Sequence, residues 1–258
     1  MQKHVPPGAS ILEAGAGSGR WLAFLTNHGY KMVGIEINAK SVECFATNFP
    51  NIRYDIGDVT ALPYPDGYFD AVLSLGVLEH FVDGADLALK EMNRVLKEEG
   101  VAFISVPFAN AVWKVEKSRD RVLYKIFGWH FLRQLLKKKP VTYNIAEQKW
   151  YFHELSRHLI KGLDFKLKFD RSEGVNFYEY RFKIHQFLEY VKKWFQPIEI
   201  CLEDSDQRLY QVFGSIVGKY VPGKGVTLNS LGALINKITP KRWIAHMILV
   251  VATKSQRK

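Results

Sequence analysis

Short apolar runs and amphipathic stretches take turns along residues 10–106. Ser10-Ile11-Leu12-Glu13-Ala14 is apolar enough for a buried strand, and Gly19 to Asn27 carries helical spacing that stops at Gly29. Lys31 to Ile37 predicts a second strand, Lys40 to Asn48 a helix ended by Pro50, and Ile52 to Ile56 a third strand. After the turn Tyr64-Pro65-Asp66-Gly67, Asp70 to Leu75 predicts a fourth strand. Asp83 to Leu96 predicts a helix with Leu87, Met92, Val95 and Leu96 on its apolar face and Gly100 as its C-cap. Val101 to Val106 predicts the fifth strand. Strands alternating with helices imply parallel strands joined by right-handed crossovers, so the expected class is a doubly wound α/β sheet.

After Pro107 the pattern changes. Residues 109–150 form a basic, aromatic insertion with helical spacing from Val122 to Lys138. Residues 151–175 return to the earlier style, with a helix from His153 to Lys161, then Gly162, then a strand from Asp164 to Phe169. Residues 176–244 read as a second, mostly helical insertion, and 245–258 as a closing strand and tail. No internal repeat or low-complexity tract interrupts this order.

Composition narrows the class. With 47% hydrophobic residues, 258 residues can bury a sizeable core. The longest apolar runs, such as residues 247–252, fall far short of the roughly 20 residues that span a bilayer. No charged leader opens the chain; Val5-Pro6-Pro7-Gly8 turns straight into a strand, an abrupt start that leaves room for an upstream segment. Cys44 and Cys201 are too few for a disulfide framework and read as reduced thiols of a cytoplasmic protein. Charge is uneven. Residues 1–110 hold 8 Lys/Arg and 13 Asp/Glu, a net −5, and residues 111–258 hold 28 and 13, a net +15. Opposite signs suggest separate tasks, and the basic half suits an acidic substrate, an anionic membrane or nucleic acid.

The chemistry is concentrated in Glu13-Ala14-Gly15-Ala16-Gly17-Ser18-Gly19. A strand ends in an acid, turns through three glycines at alternate positions and starts a helix. Glycine allows left-handed angles and close approach of a ligand to backbone, and the helix N-terminus offers free N–H groups. A nicotinamide-binding turn would need its third glycine at position 20, which is Arg20. Glu36 ends the second strand, where an acid can accept from both ribose hydroxyls. Gly57-Asp58-Val59 follows the third strand, and Tyr68 to Phe81 covers the fourth strand and the loop after it.

In this order and spacing, over some 95 residues, the chain resembles class I S-adenosylmethionine-dependent methyltransferases of the small-molecule type. The resemblance implies a seven-strand, mostly parallel, Rossmann-like sheet, with strands six and seven near 164–169 and 245–253. The two insertions would form a helical cap. It implies S-adenosyl-L-methionine as cofactor, held by Glu13, Ala14, Gly15, Ala16, Gly17, Gly19, Glu36, Ile37, Asp58, Val59, Leu75 and Gly76. Glu13 would face the methionine end and Asp58 the adenine amino group. The first motif departs from the family pattern at Glu13 and Ala16, where Asp and Cys are usual. His80, just past the fourth strand, is the candidate general base for a hydroxyl acceptor. Tyr143, Tyr151 and His153 are weaker candidates for the acceptor pocket. No metal site is expected.

The acceptor expected is a small or lipid-like molecule. Arg121 to Lys139, with Leu123, Ile126, Phe127 and Phe131 on one side and a cationic end, reads as a lid helix or as a contact with the anionic inner face of a membrane. The rival readings are a nucleic-acid or protein methyltransferase that uses the basic half, and a non-catalytic cofactor-binding scaffold. Nucleic acid is disfavoured because no recognised binding module is present. Oligomeric state stays open. Two partial motifs fail. In His153-Glu154-Leu155-Ser156-Arg157-His158 the histidines lie about 140° apart around a helix and cannot share a metal. Gly218 to Lys224 matches a phosphate loop until Gly225 takes the place of Ser or Thr, and Pro222 removes an N–H, so it reads as a surface loop. The aromatics Phe177, Tyr178, Tyr180, Phe182, Phe187, Tyr190, Trp194 and Phe195 supply either an acceptor pocket or, by default, the core of a helical subdomain.

Overall fold

The computed structural model describes residues 1–111, 113–114, 159–170, 174–203, 205–206, 209–210, 214–221 and 224–255. The elements in chain order are β1 (Ser10–Ala14), α1 (Arg20–Asn27), β2 (Lys31–Glu36), α2 (Ala39–Asn48), β3 (Arg53–Ile56), β4 (Phe69–Leu75), a 3-10 turn (Leu78–His80), α3 (Asp86–Val95) and β5 (Leu96–Pro107). There follow β6 (Asp164–Asp170), β7 (Gly174–Arg181), α4 (Ile184–Lys192), β8 (Phe195–Glu203), a 3-10 turn (Gly214–Ile216), β9 (Gly218–Val221), β10 (Gly225–Leu228), α5 (Ser230–Ile238), α6 (Lys241–Ile244) and β11 (Met247–Lys254).

Seven strands share one sheet in the order β3-β2-β1-β4-β5-β11-β8. The neighbours from β3 to β5 all pair in parallel. Ile11, Leu12, Ala71, Val72, Ala102 and Ile104 are buried, as expected of central strands covered on both faces. Each of the larger aliphatics among them contributes roughly 1.5–3 kcal/mol relative to exposure. The strand order reverses between β1 and β4, which makes a crevice at the carboxyl ends of those two strands.

The chain divides into two compact units: residues 1–107, 184–201 and 248–258, and residues 108–183 and 202–247. In the first, α4 and β8 are tied to the early elements. Asn93 of α3 donates to the Trp194 carbonyl at 2.6 Å, and Lys193 pairs with Asp86 at 3.0 Å. Glu199 accepts from Lys3 and His4 at 2.9 and 2.8 Å, and these partners hold its carboxyl down at about 2. In the second unit the described strands form two antiparallel pairs, β6 with β7 and β9 with β10.

Three sequence expectations are corrected. The strand at 164–169 does not join the core sheet; it pairs with β7, and the core takes β8 instead. In the sequence, alternation of Lys166 and Lys168 with Leu167 and Phe169 suits a strand with one wet face better than a strand buried on both. The stretch 176–244 is consequently not a mostly helical insertion. It contains β7 and the β9–β10 hairpin, and its aromatics split: Phe187 and Phe195 are buried in the first unit, Tyr180 and Phe182 in the second. Finally, α3 ends at Val95 and Leu96 is already extended (φ −77°, ψ 136°), so Gly100 lies inside β5 rather than capping the helix. Leu87 is exposed, and the buried face of α3 is Ala88, Leu89, Met92 and Val95. Both cysteines are free thiols. The lid or interfacial helix around 121–139, and Tyr143, Tyr151, His153 and His158, lie outside the described residues. Among the described residues no helix is long and apolar enough to cross a membrane.

Candidate active site

Parallel pairing places every strand's carboxyl end at one edge of the sheet. Ala14 lies opposite Ile35, and Glu36 opposite Ile56, so the segments 15–19, 36–38 and 57–59 emerge side by side. Gly76 emerges there too, its N–H donating to the Ser105 carbonyl of β5 at 3.0 Å.

Gly15, Gly17 and Gly19 all have positive φ (81°, 56° and 72°), which L side chains rarely adopt. Space decides what each one does. A Cβ at Gly15 would lie 2.5 Å from Val77 Cγ2, so the turn after β1 packs directly on the turn after β4. A Cβ at Gly19 would lie 2.3 Å from the Phe45 ring, which brings α1 close to α2. A Cβ at Gly17 would meet nothing within 4 Å. Gly17 is therefore the member of the three whose bare face is left open.

Glu36 grips this turn. Its Oε2 accepts from the Gly17 N–H at 2.9 Å, and its Oε1 from the Asn38 N–H at 3.1 Å. Tyr54 of β3 donates its hydroxyl to the Gly17 carbonyl at 2.7 Å. Burial, with the nearby Glu36 and Glu13 carboxylates, raises the Tyr54 phenol well above its ordinary value. Tyr54 was not anticipated, because nothing in a lone aromatic on a short strand marks it as reaching across to residue 17.

Glu13 is almost wholly buried at 3% exposure, and its Oε2 has no hydrogen-bond partner among the described residues. Burial pushes its carboxyl up to about 8, although the Leu22 N–H and the Arg20 guanidinium at the start of α1 pull it down. It is protonated at neutral pH and is an uncommitted buried oxygen. Asp58 is exposed, and its Oδ1 accepts from the Thr60 N–H at 2.8 Å. Ala14, Ala16 and Val59 are buried, Ile37 is exposed, and Leu75 and Gly76 are partly covered. His80 lies on the 3-10 turn just past β4 with its ring half exposed, its Nε2 3.9 Å from Glu79 Oε1. A recess of about 350 Å³ is lined by Ser18, Asn38, Phe45 and Phe49 and by none of the three acids. Among the described residues no group of His, Cys, Asp or Glu is placed to hold a metal ion. The phosphate-loop-like stretch at 218–224 runs through β9, which pairs with β10 and leads into no helix.

Comparisons with known proteins agree with this geometry. A family described as a methyltransferase domain matches residues 12–104. A probable S-adenosylmethionine-dependent methyltransferase of Mycolicibacterium smegmatis is 30% identical over 104 residues, 40% of this chain and 40% of that protein. A demethylmenaquinone methyltransferase of Beutenbergia cavernae is 30% identical over 146 residues, 55% of this chain and 58% of that protein. The matches thus span less than two thirds of these relatives. The crystal structure of a Methanosarcina mazei protein described as an S-adenosylmethionine-dependent methyltransferase superposes with a TM-score of 0.61 at 15% identity, covering 99% of this chain and 97% of that one, a likeness of fold. Residues 12–104 thus match a methyltransferase domain, and the strand order and glycine turn of this part of the chain agree with that match.

Proposed function

We propose that this chain transfers the methyl group of S-adenosyl-L-methionine to a small-molecule acceptor of lipid-like character. One observation carries the proposal: the acid that ends β2 is turned onto the glycine turn, with Glu36 on the Gly17 N–H at 2.9 Å, beside a backbone face that no side chain fills. The residues present fit the cofactor. An open glycine face admits a nucleoside against bare backbone, and the buried, unpartnered Glu13 Oε2 awaits a donor. When bound, S-adenosylmethionine supplies a methyl group on a cationic sulfur for in-line displacement.

The chain's own residues provide position and charge. Glu36 would hold the ribose hydroxyls, and Asp58, Val59 and Ile37 the adenine. Ala14, Gly15, Ala16, Gly19, Leu75 and Gly76 would line the rest of the cofactor site. Glu13 would hold the cationic methionine end, whose positive charge would favour the ionised form of its raised carboxyl. His80, exposed at the carboxyl end of β4, is the base for an acceptor that must lose a proton. The displacement itself asks mainly for alignment and exclusion of water. The lipid-like acceptor is supported by the relative named for demethylmenaquinone, a quinone.

Calorimetry with S-adenosylmethionine and its demethylated product tests the proposal. Wild type should bind both. Gly17→Val should bind at least 100-fold more weakly, because its side chain occupies the open face. Gly17→Ala, which adds one methyl, separates ligand collision from backbone strain when both variants are checked by thermal melting. Absence of binding by well-folded wild type would overturn the reading.

A further inference from the structure

Helix α5 has two apolar sides, and among the described residues only one of them is packed. On the inner side Gly232 packs so tightly that a Cβ there would lie 2.0 Å from the Val217 carbonyl oxygen. Ile235 joins a small core of Leu209, Val217, Leu228 and Ile244. On the outer side Leu231, Leu234 and Ile238 are 48, 55 and 70% exposed. At 100° per residue, positions i, i+3 and i+7 fall within a sector of about 60°, so these three aliphatics form one stripe. Two further exposed apolar residues lie near the ends of α5 in the chain or at its cap. Ile216, whose carbonyl accepts from the capping Asn229 side chain at 2.8 Å, is 66% exposed at the start of α5, and Trp243 of α6 is 50% exposed just past its end. Single exposed apolar residues are ordinary; a helix-long row of them, with an exposed indole on the next helix, marks a surface that meets something apolar.

The charges around the stripe name the partner. From Gln207 to Lys258 there are nine Lys and Arg residues and not one Asp or Glu. Lys237 stands on the flank of the stripe, about 90° from its centre. Arg242 precedes Trp243, and Lys241 is anchored to Ser205 Oγ at 2.7 Å and to Asn236 at 2.9 Å. Asp206 reaches α5 through Asn236, about 170° around the helix from the stripe. An aliphatic row flanked by cations, with the acid on the far side, has the composition of a helix lying in a membrane interface. Nine residues, about 13 Å, cannot span a bilayer, so such a helix lies flat. A nucleic acid would gain little from three aliphatic side chains, since its bases stack on aromatics.

We propose that the outer face of α5, with Ile216 and Trp243 at its ends, docks on an anionic lipid surface. Leu231, Leu234 and Ile238 enter the acyl boundary, Trp243 sits at headgroup level, and Lys237 and Arg242 meet the anionic headgroups. Its residues are other than 121–139, where the sequence suggested such contact. It goes beyond the methyl-transfer reading and stands whether or not that reading does.

The test is flotation of the full chain with vesicles of phosphatidylcholine alone, or with 30% phosphatidylglycerol, at low and high salt. Wild type should co-migrate with the anionic vesicles at low salt and several-fold less at high salt. The double variant Leu234→Glu/Ile238→Glu should lose at least tenfold in partitioning, and the milder Leu234→Ser/Ile238→Ser should fall between. Both alter exposed positions, so thermal melting and cofactor calorimetry should match wild type. Failure of wild type to float, or flotation of the glutamate variant equal to wild type, overturns the proposal. So does salt-sensitive binding to an RNA oligonucleotide in place of vesicles. Flotation without cofactor binding would instead count against the methyl-transfer reading and leave the docking surface intact.

Discussion

The unit built from residues 1–107, 184–201 and 248–258 and the unit built from 108–183 and 202–247 solve the same folding problem in different ways. In the first, parallel pairing buries long aliphatic runs, and nearly all the polar chemistry is pushed to the carboxyl edge. There Glu36 and Asp58 rest on backbone N–H groups, and Glu13 holds an uncommitted oxygen. In the second, the described strands come in pairs, the cluster around Val217 is small, and large apolar side chains remain in water. That unit also buries the ion pair Arg181–Glu179, with Arg181 stacked 5.0 Å over the Trp113 ring and its Nε and Nη1 without hydrogen-bond partners among the described residues. In the first unit a buried carboxyl, Glu13, has an oxygen without a partner among the described residues; in the second a buried carboxylate, Glu179, is committed to an internal ion pair.

Glu13→Gln should break this contrast most clearly, through pH. A carboxyl raised from 4.5 to about 8 binds its proton more tightly in the folded state. Its contribution to stability is therefore full below pH 4.5 and is lost as pH rises through about 8. Glutamine keeps the neutral form at every pH. The variant should match wild type at pH 4 and exceed it by up to about 5 kcal/mol at pH 9, since each tenfold gain in proton affinity is worth roughly 1.36 kcal/mol. Urea unfolding across pH measures this, and a variant that weakens in parallel with wild type would show that Glu13 carries no such cost.

Arg181→Met probes the opposite regime. It leaves Glu179 buried and uncompensated, and should cost about 3–5 kcal/mol. Replacing both partners, as Glu179→Leu/Arg181→Met, should recover most of that loss. Equal losses from the single and the double variant would mean that the pair does more than neutralise itself.

The smallest effect separates two glycines. Gly19→Ala adds a methyl against Phe45 as well as left-handed strain, about 2–4 kcal/mol together. Gly17→Ala carries the strain alone, about 1–2 kcal/mol. Melting temperatures of the two variants rank them, and a Gly17 loss as large as the Gly19 loss would remove the claim that residue 17 faces open space.

Much of the first unit was legible in the chain. Buried strands and amphipathic helices leave strong periodic signals, and the acids and glycines of the carboxyl edge follow each strand within a few residues. Glu36 is the clearest case, since a residue that ends a parallel strand is delivered to the edge by the pairing itself. The later part of the chain was misread where the signal was weak. β8 reads Phe-Gln-Pro-Ile-Glu-Ile-Cys-Leu-Glu, an alternating, proline-bearing edge strand, and nothing local says which sheet it joins. Tyr54, Val77 and Phe45 were invisible as site residues, because their roles are contacts with positions 37, 62 and 26 residues away.

By itself the amino-acid order determined the alternation of elements 10–106, the parallel pairing this implies and the location of the candidate site at one edge, because short-range periodicity and chirality dictate all three. Only the tertiary structure decided that β8 rather than residues 164–169 completes the sheet and that Gly17 alone of its turn is open. It also decided that Glu13 is buried enough to hold its proton and that one face of α5 is left bare. Each of these depends on which distant side chains fill the neighbouring space, and packing between segments far apart in sequence leaves no local pattern to read.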